Sequence, residues 1–350
     1  MNSFLPTNDT KKTPQIFLKS FFILLAILIL ISLYFFALAK GTGKEIFIGG
    51  EKIAKINIKK EDFVAVKNST YVYRQPKIIA EKIEKSPTPI LKDKNVSFPE
   101  NFSAKALIVK DDATGKILYG KNIYEKRPVA SITKLMSALV LLEKEKNIDW
   151  QKMTTVIGED NLDTHIYAGE NYSLEELWEI ALVASSNKAI LSLIKEIYPN
   201  QEEFVVRMNE KAQELGMTDT IFTDPTGLEE TNLSTASDLV ILLSEALKNE
   251  KISTTLNKKD LTVHSSLKEK DNHMWNTNWL LLGWINNSFN IFKGGKTGYI
   301  DASLYNFTMQ VGDAENHILN TVVLGADSNE SRFIEARDVS NWVFDNYIWK

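Results

Sequence analysis

The sequence predicts an α+β domain behind an N-terminal membrane segment. Three observations carry that expectation. Strand-like runs lie near the start and the end of the main region, helical patterns fill its middle, and residues 20–39 hold no charged side chain. Strands at both ends with helices between imply one sheet made from the two ends of the domain, the central helices forming a second lobe.

From Ser20 to Ala39 most residues are Leu, Ile or Phe. About twenty such residues span the ~30 Å hydrocarbon core as a helix. A core helix of a globular domain would carry a polar face, and this stretch has none. Lys11, Lys12 and Lys19 precede it and keep residues 1–19 cytoplasmic, although Lys40 and Lys44 after it make the asymmetry modest. Ala37-Leu38-Ala39 also fits a small-x-small cleavage site, which would leave a secreted chain. The run exceeds the ~7–15 residues of a signal core, so the expectation is an uncleaved single-pass anchor in the cell membrane with the main domain extracytoplasmic.

Residues 40–101 are rich in Lys, Glu and Ile and contain Pro76, Pro87, Pro89 and Pro99. Strand-like pieces occur at Lys52–Ile58 and Phe63–Val66, without a long periodic helix. The segment reads as a stalk with at most a small folded element. The main domain, 102–350, opens with Ala106-Leu107-Ile108-Val109, a buried strand, then a turn at Asp112-Ala113-Thr114-Gly115 and extended chain at Ile117-Leu118-Tyr119. Helical patterns follow at Thr133–Lys144, Leu174–Val183, Lys188–Tyr198, Glu202–Leu215 and Thr235–Leu247. Late strands fall at Leu261–His264, Ile291–Tyr299, Leu304–Val311 and Ile318–Leu324, and a last helix runs from Ser331 to Tyr347.

Composition bounds the chemistry. The 350 residues allow one large domain with accessories, or two ordinary ones. A net charge of −4 gives no strong attraction to nucleic acid, and the absence of Cys excludes disulfides and thiolate metal sites. The four His form no His-Glu-x-x-His helix, and there is no Gly-x-Ser-x-Gly elbow. No metal or cofactor is expected.

Three short motifs remain, in order: Ser131-Ile132-Thr133-Lys134, Ser185-Ser186-Asn187 and Lys296-Thr297-Gly298. On a helix, i and i+3 share a face, so the Lys134 amine can reach the Ser131 hydroxyl. Such an amine takes the proton only when neutral, which burial or a nearby cation achieves. Leu135, Met136 and Leu139 supply apolar surroundings, and Lys296 could supply the cation. Taken alone, the motif also fits an N-cap Ser with an exposed Lys. Ser185 and Asn187, in a loop between helices, can place a hydroxyl and a carboxamide in a cleft, or simply cap a helix. The glycines around Lys296 mark a close approach, either by an extended peptide or by neighbouring backbone. A phosphate loop would need Gly where Asn290 stands.

As an ordered set these motifs resemble those of the low-molecular-mass penicillin-binding proteins, the serine-type D-alanyl-D-alanine carboxypeptidases. The resemblance covers roughly residues 102–347. Arg127-Pro128-Val129-Ala130 before Ser131 is similar to the active-site approach of that family. Ala113–Tyr119 looks like its opening hairpin, and Leu215-Gly216-Met217 with Phe222-Thr223-Asp224-Pro225-Thr226-Gly227-Leu228 looks like its central turn. Ser234–Leu239, Asn276-Thr277-Asn278 and Gly294–Tyr299 fit as well. The resemblance implies the β-lactamase/DD-peptidase-like transpeptidase fold, an antiparallel sheet flanked by helices with an all-helical lobe. It implies Ser131 as acylated nucleophile, Lys134 as base, and Ser185 and Asn187 as proton relay and amide contact. Lys296 and Thr297 would hold the substrate carboxylate. The backbone N–H groups of Ser131 and Tyr299, next to Gly298, would form the oxyanion hole. The implied partners are the D-Ala-D-Ala end of peptidoglycan stem peptides and β-lactams as covalent inhibitors.

Lys188 follows Asn187 where many carboxypeptidases have Asp, and Ala302-Ser303 replaces a usual Ala-Gly. These departures leave room for a murein endopeptidase or a β-lactam-hydrolysing enzyme. A catalytically dead wall-binding scaffold is the reading from another class. Well-known members also carry a C-terminal β-rich domain and anchor helix. This chain ends at Lys350, and its N-terminal segment would take over the anchoring.

Overall fold

Ala106–Val109 reads as an unbroken apolar run because both faces of its sheet are covered. The computed structural model describes residues 87–350, apart from Asp160 and Pro199, with the backbone of four short strands before them. Strands β1 (Ala106–Asp111), β2 (Ile117–Lys121), β3 (Ile291–Ile300), β4 (Leu304–Gly312) and β5 (Ile318–Ala326) form an antiparallel five-stranded sheet in the order β3-β4-β5-β1-β2. The opening hairpin therefore joins the C-terminal meander, Leu324 opposite Ala106 and Val322 opposite Ile108.

Helices α1 (Thr133–Leu142), α2 (Leu174–Val183), α3 (Asn187–Ile197), α4 (Gln201–Glu214), α5 (Ala236–Leu247), α6 (Glu250–Leu256) and the short α7 (Trp279–Leu282) come between the two parts of the sheet, and α8 (Ser331–Asn346) follows it. The two-residue period of the strands divides the core. Leu107, Val109, Phe307, Met309 and Val323 pack with Phe333, Ala336, Val339 and Val343 of α8. Ala106, Ile108, Val322 and Leu324 pack with the helical lobe. The helix starts follow from side chains: Ser173 and Glu176 make a capping box for α2, and Ser186, Asn200 and Thr235 cap α3, α4 and α5. Among the elements absent from the sequence expectations are α6, α7, the Lys270–Trp275 partner of Asp260–Ser265 and the short pair Met153–Thr155 with Asn171–Ser173, too short or too polar to leave a period.

The folded unit that contains this sheet is Ser86–Lys350, not 102–350. Residues assigned to the stalk are tied into it. Pro89–Leu91 pairs antiparallel with Tyr347–Trp349, Tyr119 Oη donates to Pro99 O at 2.7 Å, and the Phe98 ring lies 4.8 Å from that of Trp342. The prolines suggested a linker because they suit extended chain, and extended chain added to an edge looks the same in sequence. Met1–Lys85 forms the other unit, in which Lys44–Ile48 pairs with Glu51–Ile56 and Phe63–Ala65 with Tyr71–Tyr73. Two of these strands fall on the expected pieces. The proposed membrane segment, 20–39, lies outside the described residues, and among the described residues no helix is long and apolar enough to cross a membrane.

Candidate active site

Ser131 sits in a 3-10 turn, Ala130–Ile132, that leads directly into α1. No side chain caps this entry, unlike those of the other long lobe helices. Ala130 takes a left-handed φ of 49°, a conformation that costs a non-glycine residue on the order of 1–3 kcal/mol and persists only when its surroundings enforce it. Two glycines do so. A Cβ at Gly227, itself at φ 87°, would lie 1.9 Å from the Ala130 carbonyl oxygen, and one at Gly298 would lie 2.6 Å from Val129 O and 3.1 Å from Ser131 N. The turn is wedged between the central loop and strand β3, which is why both positions lack a side chain.

Lys134 is fully buried one turn on. Its Nζ lies 2.8 Å from Ser131 Oγ, 2.6 Å from Asn187 Oδ1 and 2.9 Å from Thr226 O. The last two atoms can only accept. A neutral amine with two N–H groups donates to both, and its lone pair then faces the Ser131 hydroxyl. Burial favours that neutral form. It brings the Lys134 pKa down to about 7, against the opposing pull of Asp224 and Asp163. Of the two causes the sequence offers, apolar surroundings and the Lys296 cation, burial is the one that lowers it most.

Lys296, also buried, donates to Ser185 Oγ at 2.7 Å and to Thr297 O at 3.0 Å. Burial first, then Lys134 and Arg332, holds its pKa well below the usual lysine range. Ser185 has φ 63°, a second strained non-glycine residue. Thr297 Oγ1 donates to Thr277 Oγ1 at 2.6 Å. The three motifs thus meet: Ser131, Lys134 and Asn187 are linked through one amine, and Ser185, Lys296 and Thr297 through another. Tyr299 behaves differently. Its ring is half exposed, bonded to Asp301 Oδ1 at 2.8 Å and stacked on Tyr305, so only its backbone could serve the cleft.

Several residues were invisible as site components in the sequence. The Thr226 carbonyl reaches Lys134 because Asp224 Oδ1 accepts from Thr226 N, Thr226 Oγ1 and Gly227 N. Asn232 closes the loop onto α1, donating to Thr133 Oγ1 at 3.0 Å and to Asp224 O at 2.9 Å. The Asp-Pro-Thr-Gly string marked a turn, but nothing in it showed what the turn touches. Arg332 of α8 donates to Gly298 O at 3.2 Å from beneath the sheet, its pKa brought down to about 10 by burial.

Residues 92–328 match the D-alanyl-D-alanine carboxypeptidase family. The D-alanyl-D-alanine carboxypeptidase DacF of Bacillus subtilis is 32% identical over 254 residues, covering 70% of this chain and 63% of its own length. A D-alanyl-D-alanine endopeptidase of Escherichia coli is 31% identical over 254 residues, covering 71% of this chain and 79% of its own. A penicillin-binding protein of Listeria monocytogenes, solved in an ampicillin-bound form, superposes with a TM-score of 0.61 at 27% identity, over 71% of this chain and all of its own. With a match across most of its length and the three motifs gathered at one site, the chain belongs to the D-alanyl-D-alanine carboxypeptidase family, the low-molecular-mass penicillin-binding proteins.

Proposed function

We propose that the protein hydrolyses the terminal D-Ala-D-Ala bond of peptidoglycan stem peptides through an acyl-serine intermediate. The observation that carries this reading is the Lys134 amine, buried, committed to two carbonyl acceptors and 2.8 Å from Ser131 Oγ. In this scheme neutral Lys134 takes the Ser131 proton as Oγ attacks the peptide carbonyl carbon. The backbone N–H groups of Ser131 and Tyr299 stabilise the developing oxyanion. The proton passes to the leaving D-alanine amine through Lys134 and Ser185, and the C–N bond breaks. Water then attacks the ester carbonyl while Lys134 takes its proton, and Lys134 returns that proton to Ser131 Oγ as the ester C–O bond breaks, freeing the shortened peptide as its carboxylic acid.

The substrate would lie along β3, an edge strand whose outer side pairs with no other strand of the sheet. Lys296 and Thr297, backed by Thr277, would bind the terminal carboxylate. β-Lactams would acylate the same hydroxyl, a reading that the ampicillin-bound Listeria relative supports. Because the substrate lies outside the cytoplasm, residues 20–39 are assigned as the anchor that holds the catalytic unit at the outer face of the cell membrane.

A second reading is endopeptidase action on cross-links. The match covers 79% of the Escherichia coli endopeptidase, against 63% of the Bacillus subtilis carboxypeptidase. Mass analysis of the products from a pentapeptide and from a cross-linked dimer separates them. Free D-alanine from the pentapeptide, with the dimer intact, is the expected result. Cleavage of the dimer alone would transfer the assignment to the endopeptidase.

A further inference from the structure

Asp163 stands in a loop remote from every motif, yet its carboxylate reaches the start of α3. Oδ2 accepts from Ser186 Oγ at 2.9 Å, from Asn187 N at 2.8 Å and from Lys188 N at 2.9 Å, while Oδ1 accepts from His165 N at 3.1 Å. The preceding residue completes the grip, Leu162 O accepting from Asn187 Nδ2 at 3.1 Å. Two consecutive residues of one loop therefore hold both the backbone and the carboxamide of Asn187.

That grip sets the sense of the amide. With Nδ2 committed to a carbonyl, Oδ1 is the atom presented to Lys134 Nζ, at 2.6 Å. The flipped amide would turn Nδ2 toward the amine and set Oδ1 against the Leu162 carbonyl. The same carboxylate anchors Ser186, next to Ser185 with its φ of 63°. A strained turn of this kind holds only where its neighbours fix it. Helix capping alone does not call for Asp163, since Ser186 Oγ already accepts from Ala189 N at 3.1 Å.

We propose that Asp163 is a positioning residue of the acyl-transfer site. Through Ser186 and Asn187 it fixes the carboxamide that aligns Lys134 and the turn that carries the Ser185 hydroxyl to Lys296. The inference rests on the assignment of Ser131 and Lys134 as nucleophile and base.

The test is the second-order rate of acylation by a fluorescent penicillin, measured on the full chain for the wild type, Asp163→Asn, Asn187→Ala and the double variant, with a thermal melt of each. Asp163→Asn keeps the size but gives three donors a poorer acceptor. Its acylation should slow roughly ten- to a hundredfold, the cost of displacing a reacting group by up to about 1 Å. The double variant should be no slower than the slower single, because both changes act on the same amide. Losses that multiply, or a folded Asp163→Asn that acylates at the wild-type rate, would overturn the proposal. If Asp163→Asn does not fold, Asp163→Glu takes its place in the cycle, with the charge kept and the carboxylate displaced by one methylene. A folded, slow Asp163→Glu supports positioning, and a folded, fast one refutes it. A wild type that is never labelled would instead overturn the Ser131 assignment on which the inference depends.

Discussion

Lys134 has three neighbours within hydrogen-bond reach, and only the Ser131 hydroxyl carries a proton for it to take. The pH dependence follows. Protonated Lys134 has no lone pair, so acid suppresses acylation. With its pKa at about 7, the rate should rise about tenfold per pH unit on the acid side and level off above neutrality. A stopped-flow pH profile with a chromogenic cephalosporin checks this, and a flat profile between pH 5 and 8 would mean that another group takes the proton. Lys134→Arg keeps the charge but stays protonated, so acylation should fall by roughly a thousandfold or more, read as loss of label on a gel. Ser131 and Lys134 were legible in sequence because i and i+3 geometry is local. Asp163 was not, since its partners are 23 to 25 positions away and nothing local announces them.

The start of α1 is placed by contacts from other elements more than by its own sequence. It lacks a side-chain cap, and the Ala130 turn is pressed by Gly227 from one side and Gly298 of β3 from the other. Gly227→Ala would add a methyl where 1.9 Å is available, at a left-handed φ that alanine resists. Overpacking of this kind costs typically ~1–3 kcal/mol and shifts local backbone. The variant should melt at a lower temperature and acylate at least tenfold more slowly; an unchanged rate would show that the Ser131 turn does not depend on this clamp. Element types were readable wherever a period was long and clean. Leu174–Val183 agrees to the residue, and Ile291–Ile300 to within one. The misses share a cause: α6, at 7 residues, and α7, at 4, are too short to show a period, and their apolar residues answer to tertiary contacts.

Over the whole chain, the sheet is assembled from sequence separated by the entire helical lobe, and the cleft forms where the lobe meets edge strand β3. Strand-like runs at both ends, with helical patterns between them, made that architecture legible. The boundary at Ser86 was not, because the Pro89–Leu91 pairing depends on Tyr347–Trp349 at the far end. A chain beginning at Ser86 should therefore be soluble and active, whereas one beginning at Phe102 should lose stability with that edge strand. Melting curves of the two check this. If 20–39 anchors the protein, the full chain should require detergent for extraction. Recovery from culture fluid with Lys40 as its first residue would identify a cleaved leader instead.

The central claim is that one hydroxyl, held by this lobe-and-sheet junction, becomes the ester. Intact-mass and peptide-mass analysis of penicillin-treated protein tests it most directly. The prediction is one adduct per chain, located on the peptide that contains Ser131 and absent from Ser131→Ala, which loses one hydrogen bond with Lys134 and should be destabilised by no more than about 1–3 kcal/mol. An adduct on any other residue, or stoichiometric labelling of Ser131→Ala, would contradict it.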